Sequence, residues 1–312
     1  MPLHDRSFDP RQVFTRIEGL KAGLTPYELR TRQYVRVFRG VYVARSVPCT
    51  TVVRARAALR IAPDDAVVSH HTAAIIWGGD VVTSSSVHLT VEPRQVVVVP
   101  GIRARQRARR PEVTMRQGVR VTTAAQTFLD LAGDLDLVEL VVLGDRFVAR
   151  RVTTCQELVE AAASWPGWAR ERAIRAASLV RAGVDSPPES RLRMLLVLAG
   201  LPEPTVNHRL RHPDGHVRRR MELAYEELLI GIEYHGRQHR TKDAVWVGDI
   251  SRREELTRES WRFVEVIQEG LVVDPVDTVM RVERARVERG ARPTGPLREE
   301  FRRYFPGQDG AA

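Results

Sequence analysis

The stretch Leu228-Leu-Ile-Gly-Ile-Glu-Tyr-His235 is apolar over most of its length and ends with a carboxylate and an imidazole. A nearly continuous apolar run of this length is typical of a central strand that is buried on both faces of a sheet. Because side chains alternate along a strand, Glu233 and His235 fall on the same face as Leu229 and Gly231. A carboxylate and an imidazole on a buried face are costly unless they are paired, protonated or bound to a metal. This strand therefore predicts a functional site.

The residues around this strand predict a compact α/β core. Ser186-Pro-Pro-Glu189 is a capping box with proline at the first helical position, and Gly200 ends the helix that it begins. Glu189 therefore has a structural role available as a cap. The predicted elements are a helix at 189–199, strands at 206–210, 217–225 and 228–235, a helix at 243–259 and a strand at 261–267. Their order is αβββαβ.

A second carboxylate lies on the strand before the apolar one. A turn at Tyr225-Glu-Glu227 joins the two strands, so Glu222 can lie beside Glu233. Two converging carboxylates repel each other, and a divalent cation such as Mg²⁺ (or Mn²⁺) relieves this repulsion by taking oxygen ligands. Gly236 leaves room for a phosphate to approach. The sequence therefore predicts a metal site at Glu222 and Glu233.

This combination of motifs resembles the PD-(D/E)XK nuclease superfamily, and most of all its very-short-patch-repair endonuclease branch. The resemblance implies a restriction-endonuclease-like fold and hydrolysis of phosphodiester bonds. It implies that Glu222 and Glu233 are catalytic metal ligands, that His235 positions or activates water, and that Glu189 assists from the helix. The matching residues are Arg220-Met-Glu-Leu-Ala-Tyr225, Gly231-Ile-Glu-Tyr-His-Gly236, His239, Asp249, Arg253, Leu256 and Trp261.

The match departs from the family at two positions. Close relatives have Asp where Glu222 stands, and an acid or a lysine where His235 stands. Lys21 and Lys242 are the only lysines of the chain, so the cation that this chemistry commonly uses is missing from the motif. Neutral His235 can act as a base near neutral pH. Two alternatives remain: an active metal-dependent endonuclease, or a decayed site in a protein that only binds DNA.

The N-terminal residues predict a winged-helix-like unit. A short helix ends at Gly23, and the capping box Thr25-Pro-Tyr-Glu28 begins a second helix. Residues 34–43 form a predicted β-hairpin with Arg39-Gly40 at its turn. Two helices followed by a two-stranded ribbon can place one helix in the major groove of DNA. The predicted DNA-binding residues, which would contact phosphates, are Arg30, Arg32, Arg36 and Arg39.

A second resemblance covers residues 13–152. Gly40-Val-Tyr-Val43 and Val68-Ser-His-His-Thr-Ala-Ala74 are similar to the N-terminal part of AbiEi-like antitoxins of type IV toxin–antitoxin systems. In that family a winged helix precedes a second α/β module. The resemblance implies operator DNA binding and a toxin as protein partner. It supplies the alternative function, which is a non-catalytic transcriptional regulator of the antitoxin type.

Between these parts, residues 49–180 predict an α/β module with a helical end. Strands are expected at 87–91 and 96–100, and helices at 124–132 and 158–180. Residues 103–110 hold a strongly basic run, which is usually solvated but can also bind phosphate.

Composition and charge place the chain in a class and a compartment. A chain of 312 residues with 43% hydrophobic residues is globular, and a net charge of +10 favours a polyanionic partner, with duplex DNA expected. An arginine-rich codon bias is the competing explanation of the charge. No apolar run approaches ~18 residues, and Cys49 and Cys155 are too few for a disulfide framework, so we expect no membrane contact and a cytoplasmic protein.

The fold class is thus α/β (α+β) in four parts. The predicted parts are a winged-helix-like unit at 1–48, an AbiEi-like module at 49–180, an endonuclease-like domain at 181–290 and a flexible tail at 291–312, with a linker at 182–188.

Overall fold

The computed structural model shows an α+β protein that divides into two compact units. The structure describes residues 8–80, 85–107, 109–211, 214, 216–236 and 261–308. The first unit contains residues 1–134 and 156–173, and the second contains residues 135–155 and 174–312. This division differs from the predicted boundaries at 48 and 180, because the chain leaves the first unit and returns to it. None of the helices in the described ranges has the length and apolar character needed to cross a membrane.

The first unit begins with a three-stranded sheet in the order β1-β3-β2. Strands β2 and β3 form the predicted hairpin, and Gly40 takes a φ of +80° at its turn, which glycine adopts without strain. The elements are β1 (Phe14–Thr15), α1 (Arg16–Lys21), β2 (Tyr34–Phe38) and β3 (Val41–Ala44).

The expected second helix of the winged-helix-like unit is only one turn. The Thr25–Glu28 capping box forms, since Glu28 N–H donates to Thr25 Oγ1 at 3.2 Å and Thr25 N–H donates to Glu28 Oε2 at 2.6 Å. The helix that follows is a 3₁₀ turn of three residues, Glu28–Arg30, and the chain is already extended at Thr31. The prediction of a helix that enters the major groove here was wrong, because only Thr31, Arg32 and Gln33 separate this turn from strand β2.

A five-stranded mixed sheet forms the rest of the first unit, in the order β6-β5-β4-β8-β7. Strands β5 and β6 are parallel, as are β4 and β8, whereas the other two pairs are antiparallel. The elements are α2 (Thr51–Leu59), β4 (Val67–Val68), α3 (His70–Ile76), β5 (Val87–Val91), β6 (Ile102–Gln106), β7 (Val113–Arg116), β8 (Val119–Thr122) and α4 (Ala124–Leu131).

Two predictions for this region were wrong. The apolar run at 96–100 is not a strand, and the side chains of Val96 and Val98 are exposed. The single helix expected at 158–180 is two helices, α6 (Cys155–Ala163) and α7 (Arg170–Leu179), because Pro166 and Gly167 interrupt it.

The second unit has a four-stranded sheet in the order β12-β11-β10-β9. Strands β9, β10 and β11 are antiparallel neighbours, and β12 runs parallel to β11. The helix predicted at 243–259 and the motif residues His239, Asp249, Arg253 and Leu256 lie outside the described residues. The elements are α5 (Leu137–Ala149), α8 (Pro187–Leu198), β9 (Thr205–Arg211), β10 (Val217–Tyr225), β11 (Ile230–His235), β12 (Arg262–Ile267), α9 (Gln268–Val272) and α10 (Pro275–Glu288).

The C-terminal segment packs onto this unit. The N–H of Arg298 donates to the carbonyl oxygen of Ala199 at 3.0 Å, and Arg175 Nη2 donates to Glu300 Oε2 at 2.8 Å. Phe301 is fully buried and Phe305 is nearly so. The expectation of a flexible tail was therefore wrong for residues 291–308, because these two aromatic rings give the segment an apolar surface to bury.

Candidate active site

Glu222 lies on β10, close to the neighbouring strand β11. Leu223 lies opposite Ile232, and the regular pairing ends there, one residue before Glu222 and Glu233 would oppose each other. The carboxylate of Glu222 instead accepts a hydrogen bond of 2.6 Å from the backbone N–H of Tyr234. The two glutamates thus lie on neighbouring strands, but they are not held as a directly opposed pair.

Glu222 has an unusual protonation equilibrium. Burial, and then the negative charges of Glu189 and Glu233, raise its pKa to about 7, against the lowering effect of the hydrogen bond from the Tyr234 N–H. The neutral form of this carboxyl therefore persists to higher pH than that of an ordinary glutamate. A buried acid beside other carboxylates is the environment in which a bound cation brings the largest gain.

Glu233 already has a cation beside it. Nη2 of Arg219 donates to both carboxylate oxygens, at 2.7 and 2.9 Å. The guanidinium also lies over the ring of Phe263, 4.4 Å from its centroid. Its Nη1 is buried and has no hydrogen-bond partner in the described part of the chain.

Gly231 makes this arrangement possible. A Cβ at this position would lie 2.6 Å from the Phe263 ring and 2.8 Å from the sulfur of Met221. A side chain here would displace Phe263, and the Arg219 guanidinium with it. Gly231 thus serves the site through close packing.

His235 lies at the end of β11, beside strand β12. Its Nε2 is 3.9 Å from Oε2 of Glu265, which is beyond hydrogen-bond distance, and it has no other hydrogen-bond partner among the described residues. Glu265 is the parallel neighbour of Glu233. The Nε2 atom itself is buried, so the described structure holds it beside Glu265 and away from solvent.

Glu189 is placed chiefly as a helix cap. Its carboxylate accepts from Ser186 Oγ at 2.8 Å and from the N–H of Asp185 at 3.2 Å. Burial raises the pKa of Glu189 as well. The side chain is nearly buried, so its contribution to the site is its negative charge near Glu222.

Carboxylate oxygens are chemically suited to bind Mg²⁺ or Mn²⁺. Carboxylates are the preferred protein ligands of these hard cations, and burial raises the pKa of Glu222 despite the opposing charge of Arg220. In the described ranges no three His, Cys, Asp or Glu side chains are grouped so that they could hold a metal. Glu222 and Glu233, on neighbouring strands, are the carboxylates that could take part in holding such an ion, and Arg219 already binds both oxygens of Glu233.

Sequence reasoning missed Arg219 and Glu265. Arg219 lies two residues before Met221, outside the quoted motif, and its neighbours at 218 and 220 are also arginines, so the sequence does not show which of the three reaches Glu233. The absence of lysine from the motif was the available signal, since it requires a cation from elsewhere. Glu265 follows from the register of β12 against β11.

The arginines predicted to bind DNA lie on the N-terminal hairpin and the turn before it. Arg30, Arg32, Arg36 and Arg39 are all exposed. The described structure gives none of them a carboxylate partner. The four guanidinium groups are therefore free to contact phosphates, although no long helix accompanies them.

Comparisons with known proteins add little. No known family matches the sequence, and no curated protein is similar to it. A solved structure that matches is that of the Rv2827c protein from Mycobacterium tuberculosis, with 14% identity over 66% of this chain and 85% of that chain and a TM-score of 0.40. A likeness at this level carries no argument about fold or function.

Proposed function

We propose that the second unit is a metal-dependent nuclease that hydrolyses phosphodiester bonds in DNA, with Mg²⁺ or Mn²⁺ held by Glu222 and Glu233. The observation that carries this proposal is the position of Glu222, which is largely buried on β10 with its carboxylate bonded to the backbone of β11, where burial and the charges of Glu189 and Glu233 raise its pKa. Strongly perturbed carboxyl groups are concentrated at functional sites. The resemblance of the motifs to PD-(D/E)XK nucleases supports the same function.

The protein's own residues have separable tasks. His235 is proposed to take a proton from the attacking water, as the residue two positions after the second acid does in the nucleases that the motif resembles. Arg219 supplies the positive charge that lysine gives in related motifs, and it orients Glu233 through one nitrogen. When bound, the ion offsets the negative charge that develops on the phosphate and lowers the pKa of its water.

A plasmid-nicking assay tests this function. Glu233→Gln keeps the shape of the side chain and removes its charge, so it should abolish cleavage while DNA binding persists. Glu227→Gln is the matched control, because Glu227 is an exposed glutamate in the turn before β11. Cleavage by the control should equal that of the wild type in Mg²⁺ or Mn²⁺.

Two results would reject the nuclease. The first is a wild-type protein that cuts no DNA or RNA with either ion. The second is a Glu233→Gln protein that cuts as fast as the wild type, which would assign the activity to another site or to a contaminant.

A second function, supported by a different observation, is DNA binding by the N-terminal hairpin. The four exposed arginines suit contacts with phosphates of duplex DNA. If the nuclease test fails, DNA binding by this surface supports the alternative function, a non-catalytic regulator of the AbiEi type with a toxin as its partner. Either function places the protein in the cytoplasm, where its DNA would be.

Salt dependence tests the hairpin. With about four phosphate contacts, affinity for duplex DNA should fall roughly 10²-fold between ~50 and ~200 mM salt. Arg36→Gln with Arg39→Gln should weaken binding and flatten this dependence, whereas the exposed Arg94→Gln should not. A salt-independent affinity, or a double variant that binds like the wild type, would exclude the hairpin.

A further inference from the structure

A cavity of about 350 Å³ lies in the first unit, beside the end of the basic run at 103–110. Its lining includes Arg107, Arg109 and Arg110 from this run, Gln126 of α4, and Trp165 from the loop after α6. We propose that this cavity binds a nucleotide unit, meaning a base joined to a phosphate. The proposal is independent of the nuclease, because every residue in it belongs to the other unit.

The base end of the site is a fixed stack of a guanidinium on an indole. Arg107 lies over Trp165, with Cζ 4.4 Å from the ring centroid. Its Nη1 donates to Oδ1 of Asp130 at 2.5 Å, and the Asp130 side chain is 1% exposed. Gln126 Nε2 donates to the same oxygen at 2.8 Å. A guanidinium that is fixed in this way is a flat cation, and nucleic-acid bases stack on such surfaces.

The loop after α6 is built around Trp165. A Cβ on Gly167 would lie 2.3 Å from the indole ring, so only glycine lets the chain close against it. The indole Nε1 donates to the carbonyl oxygen of Trp168 at 3.4 Å. The ring is therefore held in place before any ligand arrives, which reduces the entropy cost of binding.

The phosphate end is formed by the neighbouring arginines. Arg109 is exposed and has no carboxylate partner in the described structure. Arg110 pairs with Glu92 at 3.2 Å, but its side chain is 89% exposed, and exposed pairs of this kind are weak. Glu112 also lines the cavity, and Arg107 and Arg110 are paired with Asp130 and Glu92. Arg109 is therefore the arginine of the lining that is left to bind an anion.

The size of the cavity favours one nucleotide. A volume of about 350 Å³ is at the lower end of the range for small-ligand sites. Both a free nucleotide and one unit of a single strand carry the required base and phosphate. The strongly basic run then has a defined task, which is to hold the phosphate of the nucleotide whose base lies on Arg107.

Binding of adenosine 5′-monophosphate to the full-length protein, measured by calorimetry, tests the site. Arg109→Gln should weaken binding about tenfold, since it removes a charge-assisted hydrogen bond. Arg94→Gln, an exposed arginine outside the cavity, should change the affinity less than twofold. Adenosine and inorganic phosphate should each bind more weakly than the nucleotide.

A short oligodeoxyadenylate separates the two sources of the nucleotide. If it binds more tightly than the monophosphate and loses affinity in Arg109→Gln, the natural ligand is a strand, and the reverse order indicates a free nucleotide. The hairpin variant Arg36→Gln/Arg39→Gln should keep its affinity for the monophosphate. The proposal is overturned if neither compound binds, or if Arg109→Gln binds both as the folded wild type does.

Discussion

The two units bury titratable groups in opposite chemical settings. In the first unit, burial lowers the pKa of His70 to about 3 and that of His88 to about 4, so both imidazoles are neutral in the packed interior. In the second unit, burial raises the pKa of Glu222 to about 7. Desolvation favours the neutral form in each case.

The difference between the two sites is their surroundings. His88 is almost fully buried, and neither ring nitrogen has a hydrogen-bond partner among the described residues. Glu222 is only partly buried, at the position where regular strand pairing ends, and it lies near other carboxylates. Charged groups act on both residues, so exposure is what separates them, and a buried polar group indicates a functional site here only where solvent also reaches it.

The largest expected effect concerns a third histidine, His235 of the second unit. His235→Ala should lower the rate of cleavage ~10²–10⁴-fold without preventing metal binding, because its proposed task is proton transfer. His216→Ala is the control, since the His216 side chain is 84% exposed. Single-turnover cleavage and Mn²⁺ binding would be measured together, and equal rates for the two variants would remove His235 from the mechanism.

The next effect concerns His88 and stability in acid. Its folded pKa lies below the usual value of 6.5, so its contribution to stability is complete above that pH and is lost as the pH falls towards about 4. In the wild type, protonation of His88 should lower the free energy of unfolding by roughly 3 kcal/mol as the pH falls, and His88→Leu should abolish this decrease. Denaturant unfolding at pH 7 and pH 4.5 measures it, and an unchanged pH dependence would contradict the buried neutral imidazole.

A smaller effect of opposite sign is expected at Glu222. Its folded pKa lies above the usual 4.5, so its contribution to stability is present below that value and is lost as the pH rises through about 7. Glu222→Gln should therefore stabilise the protein by roughly 2–3 kcal/mol at pH 8 and by little at pH 4.5. The test is the same unfolding series without divalent ions. A destabilised variant at pH 8 would show that the charged carboxylate is well accommodated.

The smallest effect is expected for Arg219→Lys. A single Arg219 nitrogen contacts both oxygens of Glu233, which an ammonium can also do, although the stacking on Phe263 is lost. Cleavage should fall by about tenfold or less, whereas Arg219→Met should cause a much larger loss. Equal rates for the lysine and methionine variants would show that the charge of Arg219 is not used.

The sheet of the second unit was predictable, because strong local patterns define it. The apolar run before Glu233, the turn at Glu226 and the capping box at Ser186 are each short-range signals, and their predicted order agrees with the described elements. The details of the site were less predictable. The contact between Arg219 and Glu233 depends on the exact register and twist of two strands, which the sequence does not specify.

Two predictions in the first unit, the helix after Thr25 and the strand at 96–100, were wrong because they rested on local signals alone. The Thr25–Glu28 capping box is a genuine helix-start signal, but the approach of β2 leaves no length for a helix. The apolar residues at 96–98 have strand character, yet no strand of the described part of the chain pairs with them. Local propensity was correct at both places, and tertiary context decided the outcome.

The discontinuity of the first unit affects how the chain folds during synthesis. Helix α5 leaves the ribosome before residues 156–173 complete the first unit, yet its partners belong to the second unit and are made later. Nine of its residues, most of them apolar, are buried in the finished protein. Until α8 has been synthesised, α5 exposes its apolar surface on the nascent chain, where it can associate with other chains. A chain truncated at residue 180, where the sequence suggests a boundary, would expose that surface permanently and should aggregate.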